Sequence, residues 1–582
     1  MALLFLSFLL PAGAQPDKKR LKKLDDYVTA AMETWSVPGL SIAVVQKGEV
    51  IWSKGYGLSD VENKVPVTDQ TVFAIGSSSK AFTALAVAML VEDGLIKWDE
   101  PIKTYLPDFE MQDPVATEEM TAIDLLSHVS GLPRHDLAWY GSPKTREELY
   151  ESLQYLEPTE SFRGGWQYQN LMFMTAGVLI ERVSGKTWEE FVQLRILDPL
   201  GMTSTSTSLK GLEANKLAAK GYEEKEDEIV LMPYKNIDNI GPAGSINSNV
   251  GDMAKWMNMM LYGGMVDTNR VVEAAAVSAV QRPRAIMPSG VNEDRFYLLY
   301  GLGWMITSYR GHLMVEHGGN IDGFSAGVCL LPQDSIGIVV LTNKNGTPIT
   351  SVLEFYLADL ILDLEEKDWS DEVWTEVSKQ MEAMKNAEND EEDIAKVQGT
   401  KPSHPLADYA GTYENEGYGT MTIVAGDTSL TGSYNGLDIP FEHYHYDVFQ
   451  ATDKSIGKLK IQFFLNMDGE ISSVESVLQQ GVEPIRFTKK VEVLDLASNA
   501  LEEYVGAYEL MGIEIAIAIE DEHLTMTVPG QPTYTLDPIK KDAFRLQELE
   551  GFSAIFSRDE AGKITALTSV QPNGNFKATR KE

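Results

Sequence analysis

Residues 73–92 read FAIGSSSKAFTALAVAMLVE: three serines and a lysine, then an almost unbroken apolar run. The run has no polar stripe, which predicts a helix buried on every side, with Ser77 to Lys80 at its start. A helix start offers free backbone N–H groups and positive potential. With the helix beginning at Ser77, the Ser77 and Lys80 side chains share one face, their Cβ atoms roughly 5–6 Å apart. A serine hydroxyl is a weak nucleophile until a base takes its proton, and burial makes a lysine shed its proton more readily than in water. The same residues also read as an ordinary polar cap, because serine is a common N-cap. A second Ser-x-x-Lys, at 455–458, falls where no such chemistry is expected. The rest of the chain has to decide.

Two further stretches bear on it. In WQYQNLMFMTAGVLIERVSG, Tyr168-Gln169-Asn170 stands just ahead of another apolar helix. A tyrosine beside a lysine can pass a proton, and an asparagine amide can hold a carbonyl or amide of a substrate. Tyr-x-Asn recurs at 234–236 and 413–415, so the pattern is weak by itself. In EHGGNIDGF, His317-Gly318-Gly319 is the chain's one His-x-Gly. Its glycines admit a close approach of substrate to backbone, and His317 can hydrogen-bond the tyrosine. Alone, it reads equally as a turn with a solvated histidine.

The flanks supply the frame. GLSIAVVQ and VIWSKGYG, around Lys47-Gly48-Glu49, read as a strand pair, as do FSAGVCLLP and SIGIVVLTN around Gln333-Asp334. Strands at both ends with helices between predict an α+β domain whose sheet is assembled from both termini. Beyond it, Trp369, Val373, Val377, Met381 and Met384 recur at helical spacing, followed by the charged NAENDEEDIAKVQGTKPSHP, a solvated linker. The remainder is a repeat. Leu406, Tyr409, Gly411, Tyr413 and Glu414 reappear 95 residues later as Leu501, Tyr504, Gly506, Tyr508 and Glu509, and Asp447 and Phe449 as Asp542 and Phe544. Gly469 and Ile471 return as Gly562 and Ile564 with a two-residue slip. Each unit carries short alternating strands and is long enough to close a small antiparallel barrel without an exposed edge. His443 and His445 share a strand face, a spacing compatible with a metal but far more often plain barrel residues. The expected spans are a signal peptide over 1–14, the α+β domain over 15–365, a helix and acidic linker over 366–404, and barrels over 405–490 and 491–582.

The 582 residues carry a formal charge of −37, from 86 acidic against 49 basic side chains. That surface repels phosphate backbones and anionic lipid, so no nucleic-acid partner is expected. The single cysteine, Cys329, excludes an intrachain disulfide and a paired-cysteine zinc site, and it reads as a small buried hydrophobe. Nothing calls for a metal or organic cofactor. MALLFLSFLLPAGA, at 1–14, has the apolar core and small-residue end of a secretory signal without the usual basic start. A periplasmic or secreted protein with no other membrane span is expected.

Together these motifs resemble the serine β-lactamase and penicillin-recognising fold, in its class C, D-aminopeptidase and esterase branch, for which Ser-x-x-Lys is the signature. DLLSHVSGLP (124–133), VEDGLIKWDEPIKTYLP (91–107) and GPAGSINSNVGDMAKWM (241–257) share that branch's phrasing, and the repeats are similar to lipocalin-like appendages of such hydrolases. The resemblance implies an antiparallel sheet flanked by helices plus a helical subdomain, then the two small barrels. It implies Ser77 as nucleophile, Lys80 and Tyr168 as shared general base, and Asn170 orienting substrate and Lys80. The backbone N–H groups of Ser77 and Asn320, beside Gly319, would form the oxyanion hole, and His317 stands where many relatives carry the lysine of Lys-Thr-Gly. No Lys-Thr-Gly exists here, which points away from β-lactams and towards esters, amides or peptides of the D-aminopeptidase kind, with a small molecule or peptide as partner and a homo-oligomer as one possible state. Two other readings stay open. GFSAG (323–327) satisfies Gly-x-Ser-x-Gly with Ser325 as nucleophile, though that elbow needs a strand before it and a helix after. The second is a catalytically inactive receptor of the same fold, holding peptides or glycans.

Overall fold

The computed structural model describes residues 18–288, 292–390, 396–453, 457–490, 493, 494, 496, 498–547, 549 and 551–581. The expected signal peptide, Ser455 and part of the acidic linker lie outside them. The chain forms two compact units, the first ending at Thr488 and the second beginning at Lys489. Among the described residues no helix is long and apolar enough to cross a membrane.

The first unit is built on a mixed-origin sheet. Strands β1 (Gly39–Gln46) and β2 (Glu49–Asp60) from the N-terminal part join β3 (His312–Ile321), β4 (Phe324–Leu331) and β5 (Ile336–Thr342). β1 pairs β5 with Leu40 opposite Thr342, which closes the two ends of the domain on one another as the sequence implied. Among the described residues the sheet has nine antiparallel strands, which begin, in spatial order, at residues 285, 295, 305, 312, 324, 336, 39, 49 and 65. The β1–β2 turn holds Lys47 at φ 52° and Gly48 at φ 86°, the left-handed pair that a two-residue hairpin requires.

The central strands are apolar on both faces because each face meets its own core. Ala43 and Val45 of β1 point into one cluster, with Phe82, Leu85 and Trp256. Leu40, Ile42 and Val44 point into the other, with Val28, Leu353 and Trp369. The helix α1 (Ser79–Glu92) lies in the first core, buried from Ser79 to Leu90 as its unstriped sequence requires. The helix expected after residue 368 is α3 in chain order, Trp369–Asp390, following α2 (Asn170–Ser184). Its first half belongs to the second core: Trp369 is buried there and its indole N–H donates to Asp359 Oδ2 at 2.7 Å.

Both repeats are closed eight-stranded barrels with neighbouring strands in sequence order. Their interiors are filled by matching aromatic side chains. Tyr409, Phe449 and Phe463 meet edge to face at 4.9–5.7 Å in the first, and Tyr504, Phe544 and Phe556 meet edge to face or tilted at 4.8–5.5 Å in the second. The repeated polar residues have a purpose in this packing. Tyr409 and Tyr504 donate to Asp447 and Asp542, while Tyr413 and Tyr508 donate to the Tyr409 and Tyr504 carbonyls at 2.7 and 2.9 Å. Replacing Tyr504 by Phe removes a bond to a carboxylate, 2.9 Å long, and leaves the ring packed. A loss of about 1–2 kcal/mol in a urea titration of the full chain is expected.

Candidate active site

α1 is led in by a tight turn, Gly76–Ser78, with Gly76 at φ 49°. The helix proper starts at Ser79 rather than at Ser77, and the three serines divide their work. Ser79 Oγ donates to the Gly76 carbonyl at 2.7 Å and accepts the Ile246 N–H, which holds the turn closed. Ser78 Oγ donates to the His317 carbonyl at 3.0 Å, which ties the turn to β3. Ser77 makes neither kind of tie, and between Thr71 and Leu90 it is the one residue that is not buried.

Lys80 is fully buried beneath Ser77. Its Nζ lies 3.0 Å from Ser77 Oγ, 2.8 Å from Asn170 Oδ1 and 2.8 Å from the Ala243 carbonyl oxygen. Charged, the lysine donates to all three. Burial, reinforced by the Arg134 charge and opposed by Asp136, pushes its pKa well below the ordinary lysine value. A neutral amine has two N–H bonds and one lone pair. Asn170 Oδ1 and the Ala243 carbonyl can only accept, so they take both N–H bonds, and the lone pair is left aimed at the Ser77 hydroxyl. That is the geometry of a base on a nucleophile.

Tyr168 covers this pair: Lys80 Nζ is 4.7 Å from its ring centre. Burial raises the Tyr168 pKa, while hydrogen bonding with Ser77 and the Arg134 charge pull the other way, so the hydroxyl stays protonated at neutral pH. It can therefore relay a proton, whereas Lys80 is the group made ready to accept one.

Asn170 opens α2. Its amide orientation is set by Asp136, whose Oδ1 accepts from Asn170 Nδ2 at 3.2 Å and from the Trp139 indole at 3.0 Å. Arg134 Nε donates to Asp136 Oδ2 at 2.6 Å, and the guanidinium lies 5.0 Å from the Tyr168 ring centre. A cation thus reaches the site despite the missing Lys-Thr-Gly lysine, but one already paired with a carboxylate. Neither Arg134 nor Asp136 was singled out from sequence. The run Arg134-His135-Asp136 directly after SHVSGLP was the available signal. Ala243, which acts through its carbonyl, leaves none.

β3 passes close to the turn. A Cβ on Gly319 would come within 1.9 Å of the Ile75 oxygen and 2.9 Å of the Ser77 nitrogen, and one on Gly76 within 2.7 Å of the Asn320 nitrogen. The backbone at Ser77 and the backbone at Asn320 therefore run in direct contact, which brings together the two stretches that carry the expected oxyanion donors. Asn320's side chain is occupied elsewhere: its Oδ1 accepts from Ser325 Oγ and from the Gly346 N–H.

His317 departs from expectation. Its Nδ1 faces the Gly318 carbonyl at 2.6 Å, so the proton sits there, and Nε2 accepts from the Tyr300 hydroxyl at 2.9 Å. The hydrogen bond foreseen with Tyr168 goes to Tyr300 instead. Burial and the Lys80 charge push its pKa down to about 3, so the imidazole is neutral. Ser325, the rival nucleophile, lies buried at the start of β4, its single hydroxyl proton within reach of two acceptors, Asn320 Oδ1 and the Lys344 carbonyl, each at 2.9 Å. No helix follows it, so it is not an elbow.

A helical core on an antiparallel sheet, with serine and lysine one turn apart at the head of its buried helix, defines a penicillin-binding-protein-like serine hydrolase. A family model described as Beta-lactamase matches residues 24–362, and the chain belongs to that family. A domain of unknown function, DUF3471, matches residues 395–489 and again 493–581. The unguisins hydrolase ungD' of Aspergillus campestris is 33% identical over 421 residues, covering 69% of this chain and 77% of its own. The unguisins hydrolase ungD of Aspergillus violaceofuscus is 30% identical over 488 residues, covering 76% and 86%. Protein flp of Staphylococcus aureus is 28% identical over 342 residues, 57% of this chain and 65% of its own. In fold alone, the octameric penicillin-binding protein homologue from Pyrococcus abyssi matches with a TM-score of 0.54 at 24% identity, over 81% of this chain and 100% of that one.

Gly319→Ala tests the close approach of β3. The added methyl, 1.9 Å from the Ile75 oxygen, forces strand and turn apart. Hydrolysis should fall about 10²–10³-fold, the cost of one lost oxyanion donor, and the melting temperature should fall with it, because backbone rather than a flexible side chain has to shift.

Proposed function

We propose that this protein is a serine hydrolase working through an acyl-enzyme on an ester, amide or peptide bond. The observation that carries the reading is the Lys80 amine, whose two obligate acceptors leave its lone pair for Ser77. Ser77 Oγ bonds to the scissile carbonyl carbon as its proton moves to Lys80 Nζ. The carbonyl oxygen becomes an oxyanion between the Ser77 and Asn320 N–H groups. Collapse expels the alcohol or amine, which takes a proton back from Lys80 through Tyr168. Water then attacks the ester with its proton passing to the same pair, and Ser77 is restored.

Substrate choice of the D-aminopeptidase or esterase type, with weak or no β-lactamase activity, fits the charges. His317 is neutral where a lysine would be charged, and Arg134 is paired with Asp136. The unguisins hydrolases add, by their names, unguisins to the substrates worth testing. An exported protein, periplasmic or secreted, acting on a small molecule or peptide completes the proposal, and the octameric homologue adds self-association to it. No feature favours the inactive receptor: both barrel interiors hold packed aromatic rings.

Fluorophosphonate labelling with peptide mapping tests the reading. The adduct is expected on Ser77, and Ser77→Ala should abolish both labelling and turnover of short esters and D-amino-acid amides. An adduct on Ser325, or cephalosporin turnover rivalling that of dedicated β-lactamases, would refute the respective part. Activity requires neutral Lys80, so it rises with pH through that lysine's lowered pKa. Arg134→Gln removes a positive charge that disfavours Lys80 protonation, so the acid limb of kcat/KM should move to higher pH.

A further inference from the structure

The loop at 133–144 is held from outside the hydrolase domain. His135, buried and non-glycine, sits at φ 46°, a left-handed conformation that must be stabilised by its surroundings. Its Nε2 faces the Glu157 carbonyl at 2.9 Å and therefore carries the proton, so Nδ1 accepts the Tyr418 hydroxyl of the first barrel at 2.7 Å. The His135 backbone N–H donates to Gln479 Oε1 at 2.7 Å. Two residues on, the Leu137 carbonyl accepts from Tyr434 Oη at 2.8 Å and from Asn435 Nδ2 at 2.7 Å. Lys144 then donates to the Glu416 and Gly417 carbonyls at 2.9 and 3.1 Å.

Between the two clamped residues, His135 and Leu137, lies Asp136. From its carboxylate runs an unbroken chain: 3.2 Å to Asn170 Nδ2, 2.8 Å from Asn170 Oδ1 to Lys80 Nζ, and 3.0 Å from there to Ser77 Oγ. A second observation marks the first barrel as adapted to this contact. Its opening hairpin turns through three residues, since Asn415 pairs Gly419, and the last of them is Tyr418. In the second barrel Leu510 pairs Ile513, a turn of two residues, Met511 and Gly512.

We propose that the first barrel is a positioning element of the hydrolase site: Tyr418, Gln479, Tyr434 and Asn435 hold the 133–144 loop so that Asp136 fixes the Asn170 amide, and Asn170 in turn fixes Lys80 against Ser77. This rests on the hydrolase reading above. With Asp136 displaced, the Asn170 amide is free to rotate and offer its NH2 to Lys80. The lysine lone pair then points at Asn170 instead of at Ser77. The charged groups bearing on Lys80 are Arg134 and Asp136. Loss of Asp136's charge and an N–H donor in place of Asn170 Oδ1 both favour the neutral lysine.

The test is the rate of Ser77 labelling by a fluorophosphonate as a function of pH, in the full-length protein. Tyr418→Phe keeps the ring and removes the hydroxyl. Its plateau rate should fall by about tenfold or more, and its acid limb should move to lower pH. Tyr413→Phe, which removes a hydroxyl inside the same barrel, reports the effect of weakening the barrel alone and should leave rate and limb at wild type. Asn435→Gly keeps the left-handed turn (φ 48°) without the amide donor and serves if Tyr418→Phe does not fold; the same fall is expected. Labelling of Tyr418→Phe and Asn435→Gly at the wild-type rate, with an unmoved limb, overturns the proposal while the hydrolase reading stands. A wild-type protein that does not label at Ser77 overturns both.

Discussion

The burial of one amine constrains the rest of the first unit. Lys80 has no exposure to water, and an ammonium in that position costs several kcal/mol unless its donors are met. Every element that approaches it brings something an amine needs. The turn before α1 brings a hydroxyl, the start of α2 an amide oxygen, and the Gly241–Gly244 turn a main-chain carbonyl. Helix α1 is apolar almost all round because it is buried from Ser79 to Leu90, and its Thr83 hydroxyl is paired with the Pro242 carbonyl and the Trp188 indole. The chemistry follows from the same constraint: an environment hostile to the charge makes the lysine a base.

The frame was legible in the sequence for physical reasons. Strands such as GLSIAVVQ are apolar on both faces because the sheet lies between two cores, and the unstriped run after Lys80 marks a helix inside one of them. The aromatic repeat was visible at a spacing of 95 because Tyr409 and Tyr504 each hold an aspartate as well as fill a barrel. Ser77, Lys80, Tyr168 and Asn170, far apart in sequence, meet as their motifs implied. What was hidden acts through main-chain atoms or through loops. The Ala243 carbonyl could be any residue's. Asp136 sits in a loop whose conformation depends on residues nearly 300 positions away, such as Tyr418. The His317 partner was misread because Tyr300, which captures Nε2, comes from the end of the next strand but one and has no motif of its own.

The two barrels show how duplicated domains diverge. Tyr409, Tyr413, Phe449 and Phe463 inside the first correspond to Tyr504, Tyr508, Phe544 and Phe556 inside the second, the last pair after the two-residue slip, whereas Phe441 and Phe487 of the first have no aromatic counterpart. A further difference lies at a hairpin tip, where the first barrel has one additional residue, Tyr418 being the last of the three in the turn. Barrels tolerate such changes because strand pairing is complete on both sides of the turn.

The charge balance of the whole chain bears on which molecules arrive. A body with a net charge of −37 attracts cations and repels anions over distances set by the ionic strength, about 10 Å at 0.1 M salt. Small cations therefore meet the protein more often than small anions do. Added salt erases that preference. Discrimination by charge therefore begins in the solvent, as a difference in encounter rate.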